Sequence, residues 1–122
     1  VSHAPTSPDD VMRALRAFRY HAGTEPELHT AIATALTRAA ILFSREVRLD
    51  DDSRIDFLVS EGIGIEVKMN GSLAALTRQV ARYAAHPTIS TVIVVTTRHA
   101  LSRFPPTLSG KPIHVVMPPG AL

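Results

Sequence analysis

The sequence predicts an α/β domain, a mixed α+β sheet flanked by helices. Apolar residues recur at helical spacing as far as Phe43, and the period then drops from 3.6 to 2 across three short segments. Helical spacing returns at Leu73 and gives way to the β-branched run Thr91 to Thr97, the signature of a strand buried on both faces. At 122 residues the chain fits one domain over 1–122, enough for a single core without metal or disulfide staples.

Ser7-Pro8-Asp9-Asp10 reads as a helix start: a capping hydroxyl, proline at the first helical position and acids in the first turn. This helix is expected to reach about Ala22, with Val11, Leu15, Phe18 and Ala22 on one face and Arg13, Arg16 and Tyr20 on the other. Gly23 stops it. Thr24-Glu25-Pro26-Glu27 opens a second helix with a capping-box pattern, buried through Leu28, Ile32, Ala35, Leu36, Ala39 and Phe43. Strands follow at Arg45 to Leu49, Arg54 to Val59 and Ile63 to Lys68. They are separated by Asp50-Asp51-Asp52-Ser53 and Ser60-Glu61-Gly62. Asn70-Gly71-Ser72 ends the third strand and caps a helix from Leu73 to about Ala85. After the strand at Thr91, an irregular stretch around Pro105-Pro106 leads to a last strand, Ile113 to Met117.

The chain has no cysteine, which excludes disulfides and cysteine-ligated zinc and leans towards a reducing, cytoplasmic location. Apolar runs such as Val92-Ile93-Val94-Val95 are too short to span a bilayer, and no signal-peptide pattern opens the sequence. The net charge of +2 is mild. The type of base says more, since eleven arginines against two lysines suit bidentate phosphate contacts. A genome that favours arginine codons would give the same bias.

One of those lysines completes the triplet Glu66-Val67-Lys68. On a strand, Glu66 and Lys68 share a face. A three-residue hairpin loop with Gly62 in its left-handed position pairs Val59 with Ile63, and counting back sets Asp56 opposite Glu66. A loop one residue shorter would turn Asp56 to the other face. Two carboxylates so placed repel unless one is protonated or a cation lies between them. Oxygen ligands suit Mg²⁺ or Mn²⁺, and Lys68 could stabilise charge on a phosphate under attack.

The order and spacing of these residues resemble the PD-(D/E)xK nuclease superfamily, with its restriction-endonuclease-like core of helix, three-strand meander, helix and strand. Residues 24 to 97 follow that order, with an extra N-terminal helix and a C-terminal strand outside it. The resemblance implies a Mg²⁺- or Mn²⁺-dependent nuclease acting on phosphodiester bonds, expected to be those of DNA. Asp56, Glu66 and the Val67 carbonyl would hold the metal, with Lys68 catalytic. Glu27 matches the acid of the first core helix that orders a metal-bound water. Gln79 and Tyr83 match the Gln-x-x-x-Tyr helix motif of the RecB-like branch, Gln79 approaching the active site and Tyr83 supporting it. Ile55 stands where the family's name has proline.

The same residues have plainer readings: Glu27 as a capping glutamate, Gln79 as a strand-edge partner. Arg78 and Arg82 on the third helix, or Arg13 and Arg16 on the first, could line a nucleic-acid groove or simply face solvent. His29 is placed in an exposed turn and given no role, and Lys111 in a Gly-Lys-Pro loop. So small a core favours structure-selective or weakly specific cleavage. It also favours a homodimer for cutting two strands, with the first helix between subunits, and a separate targeting partner. The alternative is a catalytically inactive relative that binds nucleic acid or protein.

Overall fold

The computed structural model describes residues 6–20 and 23–118. Helix α1 (Pro8–Ala17) starts as the capping residues direct. Ser7 accepts from the Asp10 amide while the Asp10 carboxylate accepts from the Ser7 amide, which holds the Asp10 carboxyl below its ordinary range. The helix is shorter than expected. Phe18 turns extended at φ −91° and ψ 131°, so Tyr20 enters the core instead of facing outward. Its ring meets Phe18 edge-on at 5.1 Å. Ala22, the expected last buried position, lies outside the described residues.

Helix α2 (Glu25–Arg38) buries Leu28, Ile32, Ala35 and Leu36. An antiparallel meander follows: β1 (Phe43–Asp50), β2 (Ser53–Val59) and β3 (Ile63–Val67). Helix α3 (Leu73–Ala85), capped by Ser72, crosses to β4 (Thr91–Val95), which lies parallel to β3. A hairpin ends the sheet, the two-residue β5 (Thr107–Leu108) and β6 (Lys111–Val116), with β6 parallel to β4. The order is β1-β2-β3-β4-β6-β5, a six-stranded mixed sheet. The sequence pattern left β5 unseen because two residues carry no period. It also began the last strand two residues late, since Lys111 and Pro112 read as loop.

Each face of the sheet carries its own core. On one face α1 and α2 pack Val11, Leu15, Leu28 and Ile32 against Phe57, Ile65 and Ile93. On the other, α3 packs Leu76, Val80 and Tyr83 against Val92, Val94 and Leu101. Helix α1 contributes fully buried Val11 and Leu15 and is therefore part of this core. No helix among the described residues is long and apolar enough to cross a membrane.

The hairpin register is the expected one: Val59 pairs with Ile63, and Gly62 takes φ +75°. A side chain at Gly62 would strike the Thr88 carbonyl, so both the conformation and the close approach require glycine.

Candidate functional site

The alternation of strand faces breaks at one place. Phe57 and Val59 pack on the α1–α2 face, yet Ile55, two residues from Phe57, packs on the α3 face. Strand β1 switches beside it: Phe43 belongs to the α1–α2 side, Val47 and Leu49 to the α3 side, and Glu46 between them has φ +54°. The pairs flanking this point, Arg45 with Phe57 and Val47 with Ile55, place Glu46 beside Asp56. A residue that is neither glycine nor asparagine in a left-handed conformation is uncommon and marks a strained position. The switch carries Asp56 out of regular pairing to the rim of the sheet.

Pairing between β2 and β3 runs from Val59–Ile63 to Phe57–Ile65 and stops. The next position sets Asp56 against Glu66, as the hairpin count expects. There the Asp56 carboxylate accepts the Val67 amide hydrogen at 2.8 Å, taking the place of a strand carbonyl. Glu66 is 4% exposed, and its Oε1 has no hydrogen-bond partner. Burial first, and the Asp56 charge second, push the Glu66 carboxyl up to about 9. Burial also raises Asp56, against the opposing pull of the Val67 amide and of His29. A buried and a half-buried carboxyl group, with an orphaned oxygen between two core faces, are chemically suited to a divalent cation.

Tyr83 is buried, and its hydroxyl donates to the Arg54 carbonyl at 2.8 Å, tying α3 to the start of β2. It also lies against Glu66, with Gln79 one helical turn earlier beside it. Burial raises the phenol well above its ordinary range. Lys68 follows the end of β3; its amide donates to the Val95 carbonyl, and its charge favours ionised Glu66. The structure therefore brings together Asp56, Glu66, Lys68, Tyr83 and Gln79.

Glu27 does not join them. Its Oε1 accepts from the Gly23 amide at 3.2 Å and the Thr24 hydroxyl at 3.0 Å, so its carboxylate is committed to the cap of α2. The face of α2 next to the site belongs instead to Glu25 and His29. Glu25 accepts from the Met69 amide at 2.8 Å. His29 is not in an exposed turn; it sits within α2, its side chain only 13% exposed and its Nε2 3.8 Å from the Asp56 carboxylate. His29, Glu46 and Asp56 each offer a ligand atom within 4.8 Å of the others. A cavity of about 300 Å³ opens beside them, walled by Glu25, Pro26, Thr30 and Arg45 as well.

The signal for His29 was in the sequence. Glu25 and His29 stand four apart on one helix face, and that face had to meet the strand carrying Asp56. Glu46 had no such signal, because a left-handed residue in an edge strand leaves no mark on the period.

Lys111 also differs from expectation. It begins β6, and its ammonium donates to the carbonyls of Ala84 at 2.8 Å, His86 at 3.3 Å and Ile89 at 2.6 Å. It closes the C-terminal end of α3 and is a structural residue. Arg13, Arg16, Arg78 and Arg82 are all exposed, the first two on α1 and the others on α3.

No family model, curated protein or solved structure matches the chain. The α/β fold with its six-stranded mixed sheet is a property of this chain's own structure.

Proposed function

We propose that the protein is a divalent-cation-dependent nuclease that hydrolyses phosphodiester bonds in DNA, built on a restriction-endonuclease-like core. The observation that carries this reading is the convergence of Asp56 and Glu66 at the sheet rim, with a buried, unpartnered Glu66 oxygen and Lys68 two residues on. Asp56, Glu66 and the Val67 carbonyl would hold Mg²⁺ or Mn²⁺, joined on the α2 side by His29. An imidazole in the donor set favours Mn²⁺ over Mg²⁺. A bound cation would supply Lewis-acid activation of water and of the phosphate.

The chain's own groups do the rest. Glu66, held protonated by burial, would give its proton to solvent on taking a cation. The Val67 amide fixes the Asp56 carboxylate, and Tyr83 and Gln79 pack α3 against the pair. Lys68 contributes positive charge where a phosphate gains negative charge in the transition state. The water-orienting role expected of Glu27 is open to Glu25 or Glu46, which border the cavity beside His29. The test is cleavage of supercoiled plasmid with Mg²⁺ or Mn²⁺. Wild-type protein should nick or linearise it and Asp56→Asn should not, whereas equal activity in both would reject the reading.

A further inference from the structure

Charge is divided along this chain. All eleven acids lie between Asp9 and Glu66, together with seven Lys/Arg, for a net of −4; residues 67–122 hold six Lys/Arg and no acid, for +6. The fold turns this division into a sided molecule. Everything after β3 builds the α3 side and the far half of the sheet. There Arg78 and Arg82 stand on the outer side of α3, four residues apart, while Leu76, Val80 and Tyr83 face the sheet. Arg98 and Arg103 flank the short turn His99–Leu101, whose Leu101 packs into the same core as α3. All four arginines are exposed, and the ion pairs among the described residues involve none of them. The first helix is different, since Asp9 and Asp10 stand beside Arg13 and Arg16, and Arg13 is paired to Asp10 at 3.4 Å.

We infer that the α3 side, through Arg78, Arg82, Arg98 and Arg103, is the surface that receives the phosphate backbone of double-helical DNA. The inference takes its partner from the nuclease reading. It assigns the face: the duplex approaches from α3 and meets the carboxylate pair across Lys68, and α1 takes no part. Four unpaired guanidiniums with no acid between them match a polyanion. The face offers little for stacking: Tyr83 is buried, Phe104 is packed against the core, and exposed His99 is a small ring in the turn between Arg98 and Arg103. Single strands are commonly gripped by stacking bases on exposed aromatics. A duplex needs charge alone, so recognition here reads backbone and not base sequence.

Fluorescence anisotropy with a labelled DNA duplex, in EDTA and over a salt series, separates binding from cleavage. Every phosphate that a variant no longer neutralises should reduce the slope of log K against log salt by about 0.9. Arg78→Gln/Arg82→Gln and Arg98→Gln/Arg103→Gln should each weaken binding and lower the slope by about one to two. Arg16→Gln/Arg19→Gln, which removes two exposed charges from the α1–α2 side, should bind as wild type does, all variants keeping the wild-type melting temperature. Absence of duplex binding by wild type, equal weakening in the control pair, unchanged binding in both α3-side pairs, or stronger binding of a single strand would each overturn the proposal. Binding with this pattern but without Mn²⁺-dependent cleavage would leave the surface standing and remove the nuclease reading. Cleavage unaffected by both α3-side pairs would do the reverse.

Discussion

The Asp56 carboxylate accepts the Val67 amide hydrogen at 2.8 Å, where regular pairing between β2 and β3 has just ended. This bond satisfies an amide that would otherwise be unpaired. It also fixes Asp56 next to Glu66, whose Oε1 is, with the Tyr20 hydroxyl in the α1–α2 core, one of two buried polar atoms without a partner among the described residues. The strain of the switch at Glu46 and the cost of burying the Glu66 carboxyl beside half-buried Asp56 both fall at this point. Of the non-glycine residues with positive φ among those described, Ala40, Glu61 and Ser109 lie in turns, whereas Glu46 lies within a strand, beside the unpartnered Glu66 oxygen. Strain and an unsatisfied polar group side by side fit a site kept for function at the expense of stability.

Stability without metal should fall as pH rises from about 5 to 9. Glu66 has an ordinary value of 4.5 and a folded value of about 9, so between them the folded protein keeps a proton that the unfolded chain has lost. The unfolded state is therefore favoured as pH rises, by at most about 1.4 kcal/mol per unit for one proton. The raised Asp56 acts in the same direction. Melting temperatures measured in EDTA should show this decline in wild type and a flatter profile in Glu66→Gln. A wild-type profile as flat as the variant's would mean that Glu66 is not held protonated.

Lys68→Ala should cleave about 10²–10³-fold more slowly while binding Mn²⁺ and duplex DNA nearly as well as wild type, because it acts on charge that appears in the transition state. Arg38→Gln, which removes one positive charge far from the site, is the control for a general loss of attraction. Lys111 cannot serve as that control, since its ammonium is bound to three carbonyls. Equal rates for Lys68→Ala and Arg38→Gln would remove Lys68 from catalysis.

Lys111→Met should lower stability by about 1.5–3 kcal/mol, the range for a hydrogen-bonded charged group. The loss comes from the freed carbonyls at the end of α3, and chemical denaturation would measure it. Unchanged stability would show that water replaces the ammonium at no cost.

Tyr83→Phe removes the hydroxyl that donates to the Arg54 carbonyl and costs about 1 kcal/mol. Its single proton is committed to that carbonyl, so the onset of Mn²⁺ binding with pH should stay where wild type has it. Movement of that onset in Tyr83→Phe would show that the hydroxyl acts on Glu66 as well.

Much of this was legible in the sequence, for reasons that differ by residue. The Asp56–Glu66 register followed from Ser60-Glu61-Gly62, because a three-residue loop ending in a left-handed glycine admits one pairing. The caps at Ser7, Thr24 and Ser72 and the span of α3 were equally local, set by short-range hydrogen bonds and a clean apolar period. The failures were tertiary. The period points Tyr20 outward because it carries no sign of the turn at Phe18. Glu27 satisfied a family position and a capping position at once, and the cap took it. Glu46 came to the site through a reversal of strand faces that no periodicity shows. The division of charge after Glu66 was plain in the sequence, but it acquires meaning only once the fold puts that half on one side.

The central claim is that Asp56 and Glu66 together hold a divalent cation. Titration calorimetry with Mn²⁺ on wild type, Asp56→Asn and Glu66→Gln tests it most directly, run at pH 6.5 and 8.5. Wild type should bind one ion, more tightly at the higher pH because the cation displaces the Glu66 proton. Both variants should lose binding or retain only a trace. Undiminished Mn²⁺ binding in either variant, or none in wild type at both pH values, would contradict the account.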